Sequence, residues 1–407
     1  MIEKIVIVGA GQAAGQAAVS LRQHGFAGSI VLVGDEAYLP YQRPPLSKKY
    51  LAGDLPAERL FVRPAEFYED ARVELRLQTR VAAIDRQNAC VVTADDERIA
   101  YDKLILATGS RVRRLPVDGT ELKGVYYLRT IADVDAVRAA WSKGGSVVII
   151  GAGYIGLEVA AVARQAGLDV TVVEMADRVM SRVVSPEISD FYQIEHTNHG
   201  VRFRLSVGVA AIHGRKRVKS VETTDGETIA ADFVVIGVGI LPNTELATAA
   251  GLEVDDGIVV DDQCRTSDPA IYAAGDCTSH PSAIYGRRLR LESVHNALEQ
   301  AKTAAANICG EETHYADVPW FWSDQYDLKL QIAGLSAGYD DVVIRGNPAE
   351  RAFSCLYLRE GGLIAVDAIN APRDFVQSKS LIATGRKLAV EQLANPDVAL
   401  KEMTAPD

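Results

Sequence analysis

The sequence predicts an α/β protein built from two copies of one β-α-β fold, followed by a separate α+β domain. Three observations predict this class. A glycine-rich turn between a short apolar strand and a helix occurs twice, a second pair of matching segments follows at a fixed offset, and the end of the chain lacks both patterns. The length of 407 residues is enough for two or three domains.

The first copy begins at the N-terminus. Lys4 to Val8 is a short β-branched run, Ala13 to His24 has the pattern of a helix, and Ser29 to Val33 is a second apolar strand. These segments predict a β-α-β unit of about 30 residues. The turn between the first strand and the helix reads G-x-G-x-x-A from Gly9 to Ala14.

The second copy repeats this order 142 positions later. A strand from Ser146 to Ile150 leads into G-x-G-x-x-G from Gly151 to Gly156, a helix runs to Ala166, and a strand follows from Val170 to Val173. Residues 95–109 and 225–239 then match at an offset of 130 with six identities. In each copy these segments predict a polar β-meander followed by a returning apolar strand, so we predict two Rossmann-like dinucleotide-binding domains.

The remainder of the chain shows alternating strands, such as Ala352 to Arg359 and Leu363 to Ile369, and then helical sequence. This pattern predicts a C-terminal α+β domain. The predicted boundaries are 1–112 with 242–322 for the first nucleotide-binding domain, 113–241 for the second, and 323–407 for the C-terminal domain.

The glycine turns point to pyrophosphate binding. The first glycine permits the tight turn, the second lets the backbone approach a pyrophosphate, and the small third residue lets the helix pack closely, while the helix N-terminus presents N–H groups to the anion. After the first unit, either Asp35 or Glu36 could accept the ribose hydroxyls. The motif does not choose between them, because Gly34 shifts the usual register.

An acid follows the second unit as well. Glu174 lies 23 positions after Gly151, where a carboxylate can pair with a ribose 2′-hydroxyl and repels a 2′-phosphate. This favours NADH over NADPH. Arg178 and Arg182 lie nearby, where an arginine can hold a 2′-phosphate, and solvated surface arginines are the other interpretation.

Two nucleotide sites in one chain suggest a bound flavin together with an exchangeable nicotinamide. Two apolar strands end in small residues, at Ala107-Thr108-Gly109 and at Gly275-Asp276, and such ends let a cofactor lie against the backbone. Asp276 could accept hydrogen bonds from a ribityl chain, cap a helix, or do both.

The net charge and the spacing of the cysteines argue against several other classes of protein. The formal net charge of −11 argues against a nucleic-acid binder, because such proteins need positive surface to displace counterions. Neither a secretory leader nor an 18-residue apolar run is present, which predicts a cytoplasmic protein. The five cysteines are scattered singly, so we expect free thiols and no metal site.

The combination of motifs resembles a known family. The sequence is similar to FAD-dependent, NADH-linked ferredoxin reductases of the putidaredoxin reductase type, within the two-dinucleotide-fold flavoproteins. The resemblance covers nearly the whole chain and rests on Gly9 to Gly15, Arg43 to Lys48, Ala107 to Gly109, Gly151 to Glu158, Gly237 to Asn243, Tyr272 to Cys277, Glu292 to Ala297, and Trp320.

The resemblance implies that the first glycine turn holds FAD and the second holds NADH. The candidate FAD residues are Gly9, Gly11, Ala14, Asp35, Glu36, Arg43, Pro45, Lys48, Ala107, Thr108, Gly109, Gly275, Asp276, Ser293, Val294 and Trp320. The candidate NADH residues are Gly151, Gly153, Tyr154, Ile155, Gly156, Glu174 and Gly239.

Three residues are the candidates for catalysis. The resemblance implies that Lys48 and Glu158 pair near flavin N5, that Trp320 lies near the flavin ring, and that the helix starting at Ser293 points its N-terminus at the pyrimidine carbonyls. That helix end and Lys48 would both stabilise negative charge on the flavin. The competing interpretations are a solvated lysine, an ordinary helix acid and a packing tryptophan.

A missing cysteine defines the predicted chemistry. The disulfide-reductase branch that this chain resembles carries C-x-x-x-x-C after the first β-α-β unit, whereas Tyr38 to Leu51 contains no cysteine here. We therefore predict that electrons leave the flavin directly for a 2Fe-2S ferredoxin serving a haem-thiolate monooxygenase or a Rieske-type dioxygenase. The alternatives are direct reduction of a small molecule (quinone, ascorbyl radical or oxygen) and a non-catalytic NADH sensor.

Because ferredoxins of this kind are usually acidic, as the resemblance implies, docking to this acidic chain requires a local basic patch. Solvated surface side chains are the alternative interpretation. The candidates are Arg287, Arg288, Arg290, Lys379, Arg386 and Lys387.

Overall fold

A computed structural model describes residues 2–142, 144–385, 387 and 389–403. By its internal contacts the chain divides into two compact units. Unit 1 comprises residues 1–43, 57–111 and 241–319, and unit 2 comprises residues 44–56, 112–240 and 320–407.

The helices fall where the apolar periodicity changes from two to 3.6 residues. In chain order the α-helices among the described residues are α1 Gln12–Gln23, α2 Lys49–Ala52, α3 Ala65–Asp70, α4 Ile131–Trp141, α5 Tyr154–Gln165, α6 Pro186–Asn198, α7 Glu245–Ala249, α8 Val294–Ile308, α9 Pro372–Thr384 and α10 Val390–Leu393. Short 3₁₀ turns occupy Pro44–Ser47, Ala57–Leu60, Pro348–Glu350 and Leu400–Glu402.

The strands are short and rich in β-branched residues. They are β1 Lys4–Val8, β2 Ser29–Val33, β3 Val73–Arg76, β4 Val81–Asp85, β5 Cys90–Thr93, β6 Arg98–Ala100, β7 Lys103–Leu106, β8 Ser110–Val112, β9 Val125–Tyr127, β10 Ser146–Ile150, β11 Asp169–Val173, β12 Arg202–Arg204, β13 Val209–Gly214, β14 Val218–Thr223, β15 Thr228–Ala230, β16 Phe233–Ile236, β17 Ile240–Pro242, β18 Ile258–Val259, β19 Ile271–Ala273, β20 Thr278–Ser282, β21 Arg287–Leu289, β22 Trp320–Gln325, β23 Leu328–Gly334, β24 Asp341–Asn347, β25 Ala352–Arg359 and β26 Gly362–Ile369.

Unit 1 contains a parallel sheet with the strand order β19-β7-β1-β2-β3. Both faces of β1 are covered. Ile5 and Ile7 join one apolar cluster with α1 and α8, and Val6 and Val8 join a second cluster with the β4-β5-β6 meander. Burial on both faces explains why β1 is a continuous apolar run rather than an alternating one.

Unit 2 contains a matching parallel sheet with the order β12-β11-β10-β16-β9. Here β10, β11 and β16 take the positions that β1, β2 and β7 hold in unit 1, and the β13-β14-β15 meander corresponds to β4-β5-β6. The outer strand beside β16 comes from β9, which precedes the first strand of this copy, whereas its counterpart β19 comes late in the chain. The predicted duplication is therefore present in the topology.

The C-terminal part of unit 2 is an antiparallel sheet with the order β22-β23-β26-β25-β24. Helix α9 packs against β23 and β26. The predicted strands at Ala352 to Arg359 and Leu363 to Ile369 agree with β25 and β26 within one residue. The first strand of this sheet starts at Trp320, directly after Pro319, where the repeated pattern of the sequence ends.

One carboxyl lies inside the C-terminal sheet. Asp367 is 1% exposed and accepts a hydrogen bond of 2.5 Å from the Tyr357 hydroxyl. Burial raises the pKa of Asp367 to about 7, although the Tyr357 hydrogen bond acts in the opposite direction. Because this pKa lies above the ordinary 3.8, the folded chain binds more protons than the unfolded chain between about pH 4 and pH 7.

We expect this group to make the free energy of unfolding fall by up to about 4 kcal/mol as the pH rises through that range. Asp367→Asn should remove this part of the pH dependence, and the exposed Asp341→Asn serves as the control. Urea unfolding at several pH values measures the effect. Parallel stability curves for the unaltered protein and Asp367→Asn would contradict the assignment.

Candidate functional site

The first glycine turn, in unit 1, packs closely against the neighbouring backbone at Gly9 and is open at Gly11. Gly9 has a φ of +119°, and a Cβ there would strike the carbonyl oxygen of Ala107. Gly11 is the N-cap of α1 without a side-chain cap, and a Cβ on it would meet no atom within 4 Å. Ala14 is fully buried in α1, whose first turn contains no acid. The start of this helix therefore has neither a side-chain cap nor an acid to compete with an anion, which suits a pyrophosphate.

The acid after β2 is held by two donors. The Glu36 carboxylate accepts hydrogen bonds from the Tyr41 hydroxyl at 2.6 Å and from Arg43 Nη2 at 2.7 Å. Burial alone would lower the pKa of the Arg43 guanidinium. The electrostatic attraction of Tyr41, Glu36 and Asp276 is larger, so the pKa is raised. Asp35 is exposed, whereas Glu36 is half-buried. Of the two candidate acids, Glu36 is the one placed in a fixed orientation.

The strand end at residues 107–109 is braced by Asn243. Thr108 Oγ1 donates to the Asn243 carbonyl at 2.7 Å, and Asn243 Nδ2 donates to the Thr108 carbonyl at 2.8 Å. The backbone N–H of Asn243 also donates to the carbonyl of Gly109, which has a φ of +61°. Ala107 hydrogen-bonds to Val8, so this end stays beside the glycine turn.

Asp276 lies in a turn at the end of β19. Its carboxylate accepts a hydrogen bond of 2.7 Å from Ser110. The next element is the strand β20, so the possible helix N-cap role of Asp276 is wrong. Gly275 has a φ of +90° and donates its N–H to Gln300 on α8 at 2.8 Å. A Cβ at Gly275 would lie 3.3 Å from that of Ala13, so α1, α8 and this turn approach each other closely.

The helix predicted to start at Ser293 is α8, with Val294 as its first residue. Ser293 is the N-cap, and its hydroxyl accepts a hydrogen bond of 3.1 Å from the backbone N–H of Asn296. The cap satisfies one of the free N–H groups, and the positive end of the helix dipole remains at this position.

In unit 2 the predicted pair of Lys48 and Glu158 is formed. Lys48 Nζ lies 2.8 Å from Glu158 Oε2, with side chains 13% and 2% exposed. Lys48 also contacts the Pro44 carbonyl at 3.3 Å, at the start of the 3₁₀ turn that contains Pro45. Ser47 donates to Glu158 Oε2 at 2.5 Å, and Ser323 donates to Oε1 at 2.6 Å. A buried carboxylate with one cation and two hydroxyl donors is fully paired.

Trp320 opens β22 and is half-buried. Its ring lies 5.6 Å from that of Trp322 and 5.8 Å from that of Phe375, and Lys379 Nζ lies 4.6 Å from its centroid. The aromatic group on β22 and a cation on α9 thus lie together at the C-terminal sheet.

The second glycine turn, in unit 2, has the same geometry as the first. Gly151 has a φ of +105°, and a Cβ there would strike Gly237. Gly153 is the N-cap of α5 without a side-chain cap, and a Cβ on it would meet no atom within 4 Å. A Cβ on Gly156 would strike the carbonyl oxygen of Gly151. Of the flanking candidates, Tyr154 is half-buried, Ile155 is 45% exposed, and Gly239 has a φ of +100° with no atom near its Cβ position.

Glu174 holds this turn directly. Its carboxylate accepts hydrogen bonds from the N–H groups of Ala152 at 2.7 Å and of Ala176 at 2.9 Å. Arg178 donates to the carbonyls of Val184 and Ser181, so it is not the solvated side chain that the sequence suggested. Arg182 is exposed.

We expect Glu174→Ser to change the nucleotide preference. The carboxylate repels a 2′-phosphate and accepts from a 2′-hydroxyl, so its loss should lower the ratio of kcat/KM for NADH to that for NADPH by about 10- to 100-fold. Asp177→Ser, at an exposed acid nearby, is the control. Steady-state kinetics with both nucleotides measure the ratio, and an unchanged ratio in Glu174→Ser would refute this role.

The candidates for the basic patch lie in different surroundings. Arg290 pairs with Asp256 at 3.1 Å and with Glu292, so its charge is balanced within unit 1. Arg288 donates to the carbonyls of Val260 and Ser279. Arg287 and Lys387 are exposed, Lys379 lies over Trp320, and Arg386 is outside the described residues.

All five cysteines are free thiols. Cys90, Cys264, Cys277 and Cys355 are buried, and Cys309 is half-buried. Within the described ranges no three His, Cys, Asp or Glu side chains are grouped as metal ligands require. None of the helices in that part of the chain has the length and apolarity needed to cross a membrane.

Comparison with known proteins identifies the family. Residues 3–301 match the pyridine nucleotide-disulphide oxidoreductase family, and residues 320–404 match the reductase C-terminal family. The chain belongs to the pyridine nucleotide-disulphide oxidoreductases.

Individual relatives align over nearly the whole length of the chain. Rhodocoxin reductase from Rhodococcus erythropolis is 50% identical over 398 residues, which cover 98% of this chain and 93% of the relative. The 5,5'-dehydrodivanillate O-demethylase ferredoxin reductase subunit of Sphingobium sp. is 45% identical over 403 residues, with 98% of each chain covered.

A solved structure has the same fold. The covalent putidaredoxin reductase-putidaredoxin complex contains a chain with a TM-score of 0.95 and 42% identity, covering 98% of this chain and 97% of that chain. The predicted fold class is confirmed, as is an FAD-dependent oxidoreductase of the ferredoxin reductase type that uses NADH.

Sequence reasoning missed several polar contacts of the site. Ser47 lies within the Arg43 to Lys48 motif, so its proximity to Lys48 was a usable signal. Ser110, Gln300 and Ser323 had no such signal, because their partners lie far away in the sequence.

Proposed function

We propose that this chain takes a hydride from NADH onto FAD and passes single electrons to a 2Fe-2S ferredoxin, which serves a haem-thiolate monooxygenase or a Rieske-type dioxygenase. The observation that carries the proposal is the absence of a cysteine from Tyr38 to Leu51, beside the buried pair of Lys48 and Glu158. FAD supplies, when bound, a ring that accepts a hydride and releases electrons singly. The resemblance to a reductase crystallised with putidaredoxin supports a protein acceptor.

The residues of unit 1 are suited to bind FAD. The open helix start at Gly11 offers N–H donors to the pyrophosphate, and Glu36, fixed by Arg43 and Tyr41, is the proposed acceptor for the adenosine ribose. Asp276, whose carboxylate accepts a hydrogen bond from Ser110, is the proposed acceptor for the ribityl chain. Asp35 is not part of this proposal because it is exposed.

In unit 2 the proposed catalytic group is Lys48. Its ammonium is held by Glu158 with little access to water, and so it can stabilise negative charge that arrives next to it. Glu158 acts as the counter-ion, and Trp320 is the proposed aromatic contact of the ring. The second glycine turn and Glu174 are the proposed NADH site.

The domain assignment follows the proposed sites. Residues 1–112 with 242–322 form the proposed FAD-binding domain, residues 113–241 form the proposed NADH-binding domain, and residues 323–407 form the proposed C-terminal domain. Five free thiols are typical of a reducing compartment and support the cytoplasm as the proposed location.

A coupled assay tests the proposal. The purified yellow protein is mixed with NADH and cytochrome c, with and without a 2Fe-2S ferredoxin, and a quinone replaces the ferredoxin in a parallel series. We expect the reduction of cytochrome c to require ferredoxin and to saturate with it. Equal rates without ferredoxin, or faster turnover with the quinone, would favour the direct reduction of small molecules instead.

A further inference from the structure

A buried series of hydrogen bonds leads to Glu158 from the far side of unit 2. The Tyr326 hydroxyl lies 3.1 Å from His196 Nδ1, and His196 Nε2 lies 2.7 Å from Gln325 Oε1. Gln325 Nε2 donates to Ser323 Oγ at 3.1 Å, and Ser323 donates to Glu158 Oε1 at 2.6 Å. The side chains come from α5, α6 and β22 and from the turn after β22, all within unit 2.

Water has little access to this series. Ser323 and His196 are 0% exposed, Gln325 is 1% exposed and Glu158 is 2% exposed. Tyr326 is half-buried and lines a surface cavity of about 540 Å³ together with Glu195, His199, Gln165, Asp327 and Arg351. One end of the series therefore reaches solvent, and the other end is the carboxylate that pairs with Lys48.

The hydrogens of the series all point toward Glu158. The Gln325 carbonyl oxygen can only accept, so His196 must carry its hydrogen on Nε2 and accept at Nδ1 from the Tyr326 hydroxyl. The Gln325 amide donates to Ser323, which leaves the single Ser323 hydrogen for Glu158. Burial lowers the pKa of His196 to about 4, against the effect of the Gln325 hydrogen bond, and this agrees with a neutral ring.

We propose that Ser323, Gln325 and His196 are positioning residues for the reaction, and that their unidirectional series of hydrogen bonds fixes the Glu158 carboxylate against Lys48. Hydrogen bonds aligned in one direction polarise and strengthen one another in a low-dielectric interior. Ser323 occupies Oε1, so that Oε2 is left for Lys48 and Ser47. Without the series, the carboxylate can rotate away from the ammonium.

This inference rests on the proposed role of the pair formed by Lys48 and Glu158. Its kinetic test compares Ser323→Ala with Ser323→Thr, which keeps the hydroxyl. We expect Ser323→Ala to slow single-turnover hydride transfer from NADH about tenfold, as the loss of one hydrogen bond to a charged group implies, and Ser323→Thr to restore most of the rate. Ser378→Ala, at another fully buried serine that donates to the Phe375 carbonyl of its own helix, should leave the rate unchanged.

The outcomes separate the two proposals. A normal rate in Ser323→Ala together with a slow Glu158→Gln would overturn the positioning role alone. Unchanged hydride transfer in Glu158→Gln would overturn the role of the ion pair and, with it, the kinetic purpose of the series. Equal slowing in Ser323→Ala and Ser323→Thr, or in Ser378→Ala, would indicate a general packing effect and would also overturn the positioning role.

A spectroscopic measurement tests the direction of the series without turnover. In the holoenzyme labelled with ¹⁵N-histidine, His196→Phe identifies the His196 signals by their loss. We expect the Nε2-protonated tautomer at neutral pH, and we expect its ring shifts to change in Gln325→Met, a substitution of similar size. The Nδ1-protonated tautomer, or shifts unaffected by Gln325→Met, would contradict the hydrogen-bond series.

Discussion

Lys48→Met is expected to slow hydride transfer from NADH by about 100-fold, the scale on which a single preorganised donor affects a rate. The substitution removes a cation that is 13% exposed and leaves the Glu158 carboxylate, which is 2% exposed, without its positive partner. An unpaired buried carboxylate opposes the arrival of negative charge nearby. Anaerobic mixing with excess NADH, followed by the loss of the yellow flavin absorbance, measures the rate.

The next residue in the chain supplies a matched control. Lys49 is exposed at the start of α2, so Lys49→Met removes the same charge from the protein without touching Glu158. We expect its rate to equal that of the unaltered protein. If Lys48→Met lay within twofold of Lys49→Met, the pair would have no role in hydride transfer and Lys48 would be a structural residue.

The second large effect concerns Arg345 in the C-terminal sheet. Its side chain is 2% exposed, with Nε 3.0 Å from Asp374. The remaining guanidinium hydrogens go to backbone carbonyls at the end of α10 and in the segment after it, namely those of Leu393, Asn395, Pro396 and Val398. One buried cation thus fastens this segment to β24. We expect Arg345→Met to lower the free energy of unfolding by about 3–5 kcal/mol. The substitution leaves the Asp374 carboxylate without its cation and several buried backbone carbonyls without a hydrogen-bond donor.

Urea unfolding and limited proteolysis measure this loss. Cleavage near residues 393–398 should become much faster in Arg345→Met, and Arg345→Lys should fall between it and the unaltered protein because lysine has fewer donors. Arg359→Met, at the exposed end of β25, is the control and should change stability by less than about 1 kcal/mol. A comparably small effect in Arg345→Met would mean that the segment is held by apolar contacts alone.

The duplicated fold could be predicted because its signals are local. A β-branched run, a glycine turn and an apolar helix can each be recognised from a few consecutive residues. The second copy was identified because its motifs repeat those of the first at constant offsets. The glycine turns were also predictable in detail, since positive φ at Gly9 and Gly151 requires glycine there.

The contacts around the candidate site were less predictable. The pair of Lys48 and Glu158 was expected only from the resemblance, because nothing local brings together residues that lie far apart in the sequence. The sequence contained no signal for Ser323, Gln325 and His196. Side chains of these common types form a hydrogen-bond series only once folding brings them together. The ion pair of Arg290 with Glu292 had a local signal, because the two residues lie two positions apart.

The most direct test of the account is the anaerobic reoxidation of the protein by ferredoxin. The holoenzyme is first decolourised with one equivalent of NADH and is then mixed with increasing amounts of oxidised 2Fe-2S ferredoxin, while both chromophores are followed. The account predicts that the yellow absorbance returns at a rate that rises with ferredoxin concentration, and that two ferredoxins are reduced per NADH. A return rate that is independent of ferredoxin, with no ferredoxin reduced, would contradict it.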